Sequence, residues 1–368
     1  EKTQKASDFI TKHQQKKAKQ YHGKKNNWET VVERDDIDLL LIATPWKWHT
    51  PMAIYAMENG KHVAVEVPIS YTIEDCWEII ETTERTKKHC IMLENCNYND
   101  EELFVLNMVE QGVFGELTHA ECAYIHDLRK HLLDEHYYEG QWRLKHHQDR
   151  DGNFYTTHGI GPVSFYYKIG RGDMFTHLTS MSSQEAALSG AAQKQGKAMR
   201  IACGDMNTTL LKTAKGRTVM MQFDVHTGRP YDRINKLCGT KAVHNGYPSR
   251  LYIDNEELAY WGHQWLSQKE YQVYRDKYTH PMITQLRSKM ELFKEGHGGM
   301  DFVMIYRLIS CLNKGLPLDM NVYDGVVWSA ITPLSEISVA SNSNAIKMPD
   351  FMGGKWKKEQ DLEIMRSI

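Results

Sequence analysis

A histidine near the middle of the chain stands where it could act as a general base. His158 lies in the run GNFYTTHGIGP, where Thr156 or Thr157 can cap a helix. That helix is expected to extend to about Lys168 and to end near Gly170. His158 therefore falls in or just before the first turn, where the helix dipole disfavours the imidazolium form. A neutral imidazole can accept a proton near neutral pH. A capping or core histidine is the alternative that this stretch leaves open.

The elements that would position such a base begin with the stretch Ile37–Pro68, which is typical of a β-α-β unit. Leu39–Ala43 is a continuous apolar run, as in a parallel strand covered on both faces. Thr50 is expected to cap the following helix, and Gly60 stands just past its end. His62–Val65 is then the second strand. In a right-handed crossover both strands end at the same edge of the sheet.

That carboxyl edge collects polar residues, and in an open α/β sheet it is where a cofactor lies. Thr44–His49 follow the first strand and Glu66 follows the second. A third strand, Ile91–Leu93, delivers Glu94 and Asn95 to the same edge. Asn95 as an ordinary turn residue remains an alternative.

The later part of the chain changes from alternating helices and strands to a run of strands. This order predicts an α/β fold: a Rossmann-like parallel sheet domain over 1–114, and an α+β domain with an open, mainly antiparallel sheet over 115–368. A helix at Tyr323–Ala340 is expected to pack back on the first domain. The predicted strands of the second domain are Leu117–Tyr124, Arg200–Ala202, Thr208–Lys212, Thr218–Phe223 and Ile234–Cys238.

Composition excludes several classes of function. A net charge of −2 argues against nucleic-acid binding and against attachment to a membrane by basic clusters. No apolar run is long enough to span a membrane. Seven cysteines without a C-x-x-C favour neither a disulfide framework nor a zinc site. His146, His147 and Asp149 lack a further ligand at a recognisable spacing, so we expect a solvated loop and no metal.

No G-x-G-x-x-G precedes Leu39, although a dinucleotide-binding fold opens with that turn. We therefore expect that the chain lacks about 40 residues of the usual opening unit, so that this domain is incomplete at its start.

Thr44-Pro45 with His49, followed by Glu66-x-Pro68, resembles the Gfo/Idh/MocA family of nicotinamide-dependent sugar oxidoreductases. Its dehydrogenases usually carry a lysine where this chain has Val67, which cannot transfer a proton. The variants TPWKWH and EVP are similar instead to glycoside hydrolase family 109, the NAD-dependent α-N-acetylgalactosaminidases within that superfamily. The resemblance implies NAD as the cofactor and a glycan ending in α-linked N-acetylgalactosamine as the substrate.

The motifs LENCNY, AYIHDLR, QWRLKHH, FYTTHGIGP and GRPYDR extend the resemblance and imply site residues. GHGGMDFVM matches too, but no chemical role follows for it. Implied cofactor contacts are Trp46, Lys47, Trp48, His49, Glu66, Val67, Asn95 and Tyr155. Implied substrate contacts are Tyr124, Arg143, Tyr155, Thr156, Thr157, His158 and Tyr231.

The resemblance also implies a redox route to hydrolysis: oxidation at the sugar C3, loss of the C2 proton, elimination at C1, water addition and re-reduction. Tyr124 is then expected to be the C2 base, while His158 and Tyr155 serve the C3 hydroxyl. A sugar dehydrogenase of the same superfamily and a non-catalytic sugar-binding or partner-binding remnant remain alternatives. A paired-carboxylate glycosidase using Glu94 and Glu121 has no support from their spacing. The resemblance favours an exported or periplasmic bacterial protein, and the open sheet leaves a face for a homo-oligomer.

Overall fold

The computed structural model describes residues 2–14, 17–22, 27–254, 262–294 and 296–365. The chain folds around two β-sheets. The first sheet has three parallel strands in the order β1-β2-β3. These strands are β1 Leu39–Ile42, β2 His62–Val65 and β3 Cys90–Met92.

The second sheet has eight strands in the order β10-β9-β8-β4-β7-β6-β5-β11, and within it β4 and β7 pair in parallel while the other neighbours pair antiparallel. Its strands are β4 Leu117–Ile125, β5 Phe175–Ser182, β6 Asn207–Thr213, β7 Thr218–Asp224, β8 Lys236–Gly239, β9 Ala242–Asn245, β10 Arg250–Ile253 and β11 Ile346–Lys347.

Helices cover both sheets, and in the described ranges none is long and apolar enough to cross a bilayer. The helices are α1 Lys2–Gln14, α2 Asn27–Val32, α3 His49–Glu58, α4 Ile73–Thr86, α5 Asp100–Glu110, α6 Arg129–Leu133, α7 Trp142–Asp149, α8 Thr157–Tyr167, α9 Ala187–Lys194, α10 Gln268–Tyr278, α11 Pro281–Leu292, α12 Met300–Lys314 and α13 Val322–Ala340. Short 3₁₀ turns include Trp46–Trp48, Asn95–Tyr98 and His297–Gly299.

This architecture confirms the predicted fold class, a Rossmann-like parallel sheet with a mainly antiparallel second sheet. Helix α13 bridges the two sheets. Its Gly325 lies where an added Cβ would be 3.0 Å from Cβ of Met92, and Ser329 Oγ accepts a hydrogen bond of 3.2 Å from the amide of Ile69. A glycine at this crossing therefore lets the long helix lie directly against the first sheet. The domain boundary at 114/115 stays a prediction.

The predicted cap at Thr50 is wrong, and Thr156 occupies the predicted N-cap position of α8 without making a capping hydrogen bond. Helix α3 begins at His49 rather than after Thr50, because the 3₁₀ turn Trp46–Trp48 leads straight into it, and the buried Thr50 hydroxyl contacts the carbonyl of Ile69 at 3.4 Å. At α8 the hydroxyl of Thr156 donates to the carbonyl of Trp328 at 2.6 Å instead of accepting from the helix. In both cases the threonine hydroxyl donates to a carbonyl that is remote in sequence and therefore does not accept from the helix.

The strand predictions fail at two places. Residues 200–202 form no strand, because the amide of Ala202 donates to the carbonyl of His147 on α7 rather than to a neighbouring strand. The strand expected from Ile234 begins only at Lys236, since Ile234 and Asn235 have left-handed φ angles of 61° and 45°. Strands β5, β9, β10 and β11 were not anticipated from the pattern of residues.

Candidate active site

The carboxyl ends of the three parallel strands are level, which places the residues that follow them side by side. Ile42 pairs with Val65, and Val65 pairs with Met92. Glu66 is therefore one residue beyond the common edge, and Asn95 is three residues beyond it. This register fulfils the geometric condition for a ligand site at the carboxyl edge of an α/β sheet.

Glu66 opens to solvent at this edge, yet partial burial of its carboxyl group raises its pKa. The carboxylates of Glu94 and Asp301 raise the pKa further, because like charges resist ionisation. The three acids are thus close enough to influence one another. Asn95 donates from its side-chain amide to Asp301 at 2.7 Å, so the 3₁₀ turn of GHGGMDFVM and the start of α12 belong to the same region.

A buried glutamate holds His158 where the carboxyl edge of the first sheet meets strand β4 of the second, a region that we call the cleft. Nδ1 of His158 lies 2.8 Å from Oε1 and 3.0 Å from Oε2 of Glu94. The Glu94 side chain is fully buried, whereas 13% of the His158 side chain is exposed. Burial alone would raise the pKa of Glu94, but the charge of His158 and the hydrogen bonds with His158 and with the Cys96 amide lower it. Glu94 is therefore an ionised acceptor that fixes one ring nitrogen of His158.

Two glycines of the His158 motif make this pairing sterically feasible. A Cβ on Gly161 would lie 2.7 Å from Oδ1 of Asn97 and 3.0 Å from Cγ of Glu94. A Cβ on Gly159 would lie 3.1 Å from the backbone nitrogen of Ala123 on β4. Helix α8 can consequently approach both the turn after β3 and strand β4, which brings residues of the two sheets into one site.

Aromatic side chains form the wall beside His158. The rings of Tyr124 and Tyr155 stack with centroids 4.2 Å apart, and the ring of His158 lies 4.9 Å from that of Tyr155. Tyr231, 38% exposed, meets the ring of Tyr124 edge-on at 6.1 Å. Stacked and edge-on aromatic faces of this kind offer an apolar surface with hydroxyl groups at its margin.

Arg143 is embedded in that wall rather than exposed. Its guanidinium carbon lies 4.8, 5.2 and 5.3 Å from the ring centroids of Tyr155, Trp46 and Tyr138. Nη1 donates to the Tyr138 hydroxyl at 3.1 Å, and the buried Nε has no hydrogen-bond partner in the described part of the chain. A buried cation with an unsatisfied donor is costly, so the site is suited to a ligand that supplies an acceptor.

Burial also sets the protonation of the tyrosines. It raises the pKa of Tyr155 well above the usual value and raises that of Tyr124, although Arg143 opposes the latter shift. Both hydroxyls are thus protonated at neutral pH. Tyr124 additionally lies 3.4 Å from Nδ1 of His126, a histidine whose pKa is lowered by burial. A neutral imidazole is available next to the Tyr124 hydroxyl.

The structure brings together Trp46, Tyr124, Arg143, Tyr155, His158 and Tyr231 among the residues implied by the sequence. Other implied residues lie behind the cleft. His49 is 1% exposed and its ring nitrogens lie 2.7 Å from the carbonyls of Thr44 and Pro68, so it ties the ends of β1 and β2 together. The side chains of Val67, Thr156 and Thr157 are buried, whereas Lys47 and Trp48 are exposed next to each other.

Sequence reasoning missed four contributors: Glu94 as the partner of His158, His126, Tyr138 and Asp301. His126 directly follows strand β4, two residues after Tyr124, and that spacing was the available signal. The paired-carboxylate alternative finds no support, because Glu94 is held by His158 while Glu121 forms an ion pair of 2.6 Å with Lys236.

The fold and the cleft define the class of protein. Residues 2–94 match the family described as oxidoreductase family, NAD-binding Rossmann fold. Levoglucosan dehydrogenase in complex with NADH and L-sorbose superimposes with a TM-score of 0.67 at 15% identity, covering 94% of this chain and 88% of that one. An NAD-binding oxidoreductase from Klebsiella pneumoniae gives a TM-score of 0.65 at 13% identity, with coverage of 88% and 83%. The chain therefore has the Gfo/Idh/MocA oxidoreductase fold with an NAD-binding Rossmann domain.

Within that class the family is specific. Residues 98–358 match the family described as glycosyl hydrolase 109, C-terminal domain. A glycosyl hydrolase family 109 protein of Shewanella baltica and the α-N-acetylgalactosaminidase of Shewanella oneidensis are each 46% identical over 366 residues, which cover 98% of this chain and 79% of theirs. The chain belongs to glycosyl hydrolase family 109, as the resemblance of its motifs predicted.

Proposed function

We propose that the protein hydrolyses terminal α-linked N-acetylgalactosamine by an NAD-dependent oxidation, elimination, hydration and re-reduction. The name of the Shewanella oneidensis relative supports the substrate. The observation that carries the mechanism is the Glu94–His158 pair at 2.8 Å, placed between the cofactor edge of the first sheet and the tyrosine wall of the second. A hydrolase that acted only at C1 through two carboxylates would not need this arrangement.

The residues at the sheet edge fit a dinucleotide. The accessible carboxylate of Glu66 and the amide of Asn95 are groups that pair with ribose hydroxyls and a carboxamide. When bound, NAD⁺ supplies a hydride acceptor for the sugar C3 and later returns the hydride. The apolar Val67, 6% exposed, offers no proton relay at this edge, so proton transfer must come from the opposite side of the cleft.

His158 is suited to accept the proton of the C3 hydroxyl. Glu94 fixes Nδ1 as the donor nitrogen, which leaves Nε2 free to accept a proton. The same carboxylate stabilises the imidazolium that forms. Burial keeps Tyr155 protonated, so we assign its hydroxyl to hydrogen-bond donation beside His158 rather than to base catalysis.

Tyr124 is assigned to the proton at C2. Its raised pKa argues against a resting phenolate, but the hydroxyl can pass its proton to the neutral His126 as it accepts the one from C2. Arg143 favours the transient negative charge, because the arginine lowers the pKa of Tyr124 against the effect of burial. Arg143 and Tyr231 would orient the sugar on the aromatic wall.

Hydrolysis of an aryl α-N-acetylgalactosaminide in D₂O tests this proposal directly. We expect deuterium at C2 of the released sugar, no net NADH, and cleavage of the corresponding thioglycoside, because elimination depends little on protonation of the leaving group. The Tyr124→Phe variant should lose both cleavage and C2 exchange, whereas Tyr55→Phe, which removes a phenol on α3, should keep both.

Two results would overturn the mechanism. A released sugar carrying only hydrogen at C2 would exclude the elimination step. Stoichiometric accumulation of NADH from free sugars and excess NAD⁺ would favour an ordinary dehydrogenase.

A further inference from the structure

A second histidine cluster lies in the core beside helix α7, next to the turn that carries Arg143. His147 on α7, Cys203 between α9 and β6, and His226 just after β7 place one ligand atom each within 4.8 Å of the others. These three side chains are buried, with 1%, 0% and 1% of their surface exposed. A comparable trio in the described residues, Glu94, Cys96 and His158, belongs to the cleft itself.

The sequence expectation for this region is wrong. His146 and His147 were expected in a solvated loop, but they lie on α7 and point to different surroundings. His146 packs against Trp46 with centroids 5.1 Å apart and contacts Nη1 of Arg150 at 2.8 Å. His147 turns into the core instead, where its Nδ1 lies 3.0 Å from Nε2 of His226.

Backbone hydrogen bonds fix the relative positions of the three residues. The carbonyl of His147 accepts from the amides of both Ala202 and Cys203 at 3.0 Å, which fastens the cysteine loop to α7. The amide of His226 donates to Oδ1 of Asp224 at 3.0 Å in the turn after β7. The backbone around each of these residues is consequently held by contacts that do not involve the side chains of His147, Cys203 or His226.

A carboxylate stands behind the cluster. Oδ1 of Asp205 lies 3.4 Å from Nδ1 of His226, on the side of the ring opposite to His147. Asp205 is itself anchored by the amides of Ala186 and Ala187 at 2.9 and 3.0 Å, at the start of α9. Nδ1 of His226 has no hydrogen-bond partner among the described residues, so Asp205 stands beside it where a carboxylate usually fixes the tautomer and ring direction of a metal-binding histidine.

We propose that His147, Cys203 and His226 supply three ligands of a zinc ion, with a fourth, non-protein ligand such as water completing the tetrahedron and with Asp205 orienting His226. Imidazole and thiolate are the ligands that zinc prefers, and Zn–N bonds of about 2.0–2.1 Å imply ligand nitrogens about 3.3 Å apart in a tetrahedron. The observed separation of 3.0 Å between the histidine nitrogens is close to that value. Binding converts the Cys203 thiol to a thiolate and releases one proton, while both histidines bind as neutral rings.

Such an ion would support the wall of the cleft. His147 follows Arg143 by four residues, one helical turn, so the two side chains project from neighbouring positions of α7. Zinc would tie α7 to the end of β7 and to the loop before β6. The helix that carries Arg143 would then be held by metal coordination as well as by packing.

The test uses the full chain as purified after expression with added zinc. Metal analysis should find one zinc per chain in the wild type and in Cys238→Ser, a control thiol on β8. It should find at least tenfold less in Cys203→Ser. Cobalt exchanged into the wild type should give a thiolate-to-cobalt charge-transfer band and the strong visible bands of a tetrahedral site.

The cobalt spectrum tests for thiolate coordination in a tetrahedral site even if Cys203→Ser fails to fold, because it needs only the wild-type chain. A folded wild type without zinc, or one that holds copper instead, overturns the assignment. Equal zinc in Cys203→Ser and wild type also overturns it. Chelation of zinc should lower the melting temperature of the wild type and of Cys238→Ser but not of folded Cys203→Ser.

Discussion

Two glutamate–histidine pairs of the same length differ in which partner is buried. In Glu94–His158 the contact is 2.8 Å, the acid is fully buried and 13% of the histidine side chain faces the cleft. In Glu101–His244 the contact is again 2.8 Å, but the histidine is fully buried and 23% of the acid is exposed. The two pairs share their chemistry and have opposite orientations relative to solvent.

This difference favours His158 rather than His244 as the residue suited to proton transfer. His244 uses both ring nitrogens within the protein, Nδ1 at 2.9 Å from the carbonyl of Asn235 and Nε2 on Glu101. His158 has only Nδ1 engaged by Glu94, and its partly exposed ring borders Tyr124 and Tyr155. A buried acid behind an accessible ring can move a proton to or from a ligand, whereas an accessible acid on a buried ring can only hold the fold.

The largest effect is expected at the first pair. His158→Ala and His158→Asn should each lower turnover by about 10² or more, the usual scale for loss of a general acid–base group. Glu94→Gln should also lower turnover, because a neutral amide does not stabilise the imidazolium form of His158. The NAD content should be unchanged in the histidine variants, since the cofactor edge is built from other strand ends.

Turnover measured by release of an aryl leaving group, with NAD content measured by native mass spectrometry, checks this prediction. His89→Asn, a substitution outside the cleft, is the control. If the His158→Ala enzyme cleaved at the rate of the wild type, His158 would be a structural residue and not a general base.

The second pair should affect stability and leave turnover intact. Contacts with His244, Ser249 and Arg275 outweigh burial and lower the pKa of Glu101 to about 2. Because the folded-state pKa is below the unfolded value of about 4.3, the carboxylate stabilises the fold above the unfolded pKa. This contribution, at most about 3 kcal/mol, is lost as the pH falls from about 4.3 through about 2.

Glu101→Gln should therefore lower the free energy of unfolding by about 2 kcal/mol at pH 7, with the difference from wild type shrinking toward pH 3. Urea denaturation at steps from pH 7 to pH 3 measures it, with Glu78→Gln on the exposed face of α4 as the control. A difference that stayed constant with pH would show that packing rather than charge explains the loss.

Sequence reasoning reached the strand ends and the helix of His158, because both depend on contacts between near neighbours in the chain. It did not reach the partner of His158, since Glu94 and His158 meet only where Gly161 lets α8 pack against the turn after β3. The failed cap at Thr156 has the same origin, a carbonyl of α13 that is remote in sequence. Local pattern thus located the candidate groups, and tertiary packing decided how each is held.

A third acid–histidine pair, in which both partners reach solvent, should have the smallest effect, and it should act on the cofactor rather than on the reaction. His297 and Asp301 are 68% and 34% exposed and meet at 2.8 Å. Asp301 also accepts from the Asn95 amide at 2.7 Å, which orients that amide at the sheet edge. Gly299 completes the turn with a φ of 97°, where an added Cβ would lie 2.7 Å from Cβ of Met290.

Asp301→Asn replaces the carboxylate by an amide, which can present either an NH₂ group or an oxygen to Asn95. Affinity for NAD should therefore fall about tenfold, or about 1.4 kcal/mol. Titration of stripped protein with NAD measures the change, and Asp276→Asn on α10 serves as the control. If NAD affinity were unaltered and cleavage slower, Asp301 would act in the reaction rather than in cofactor binding.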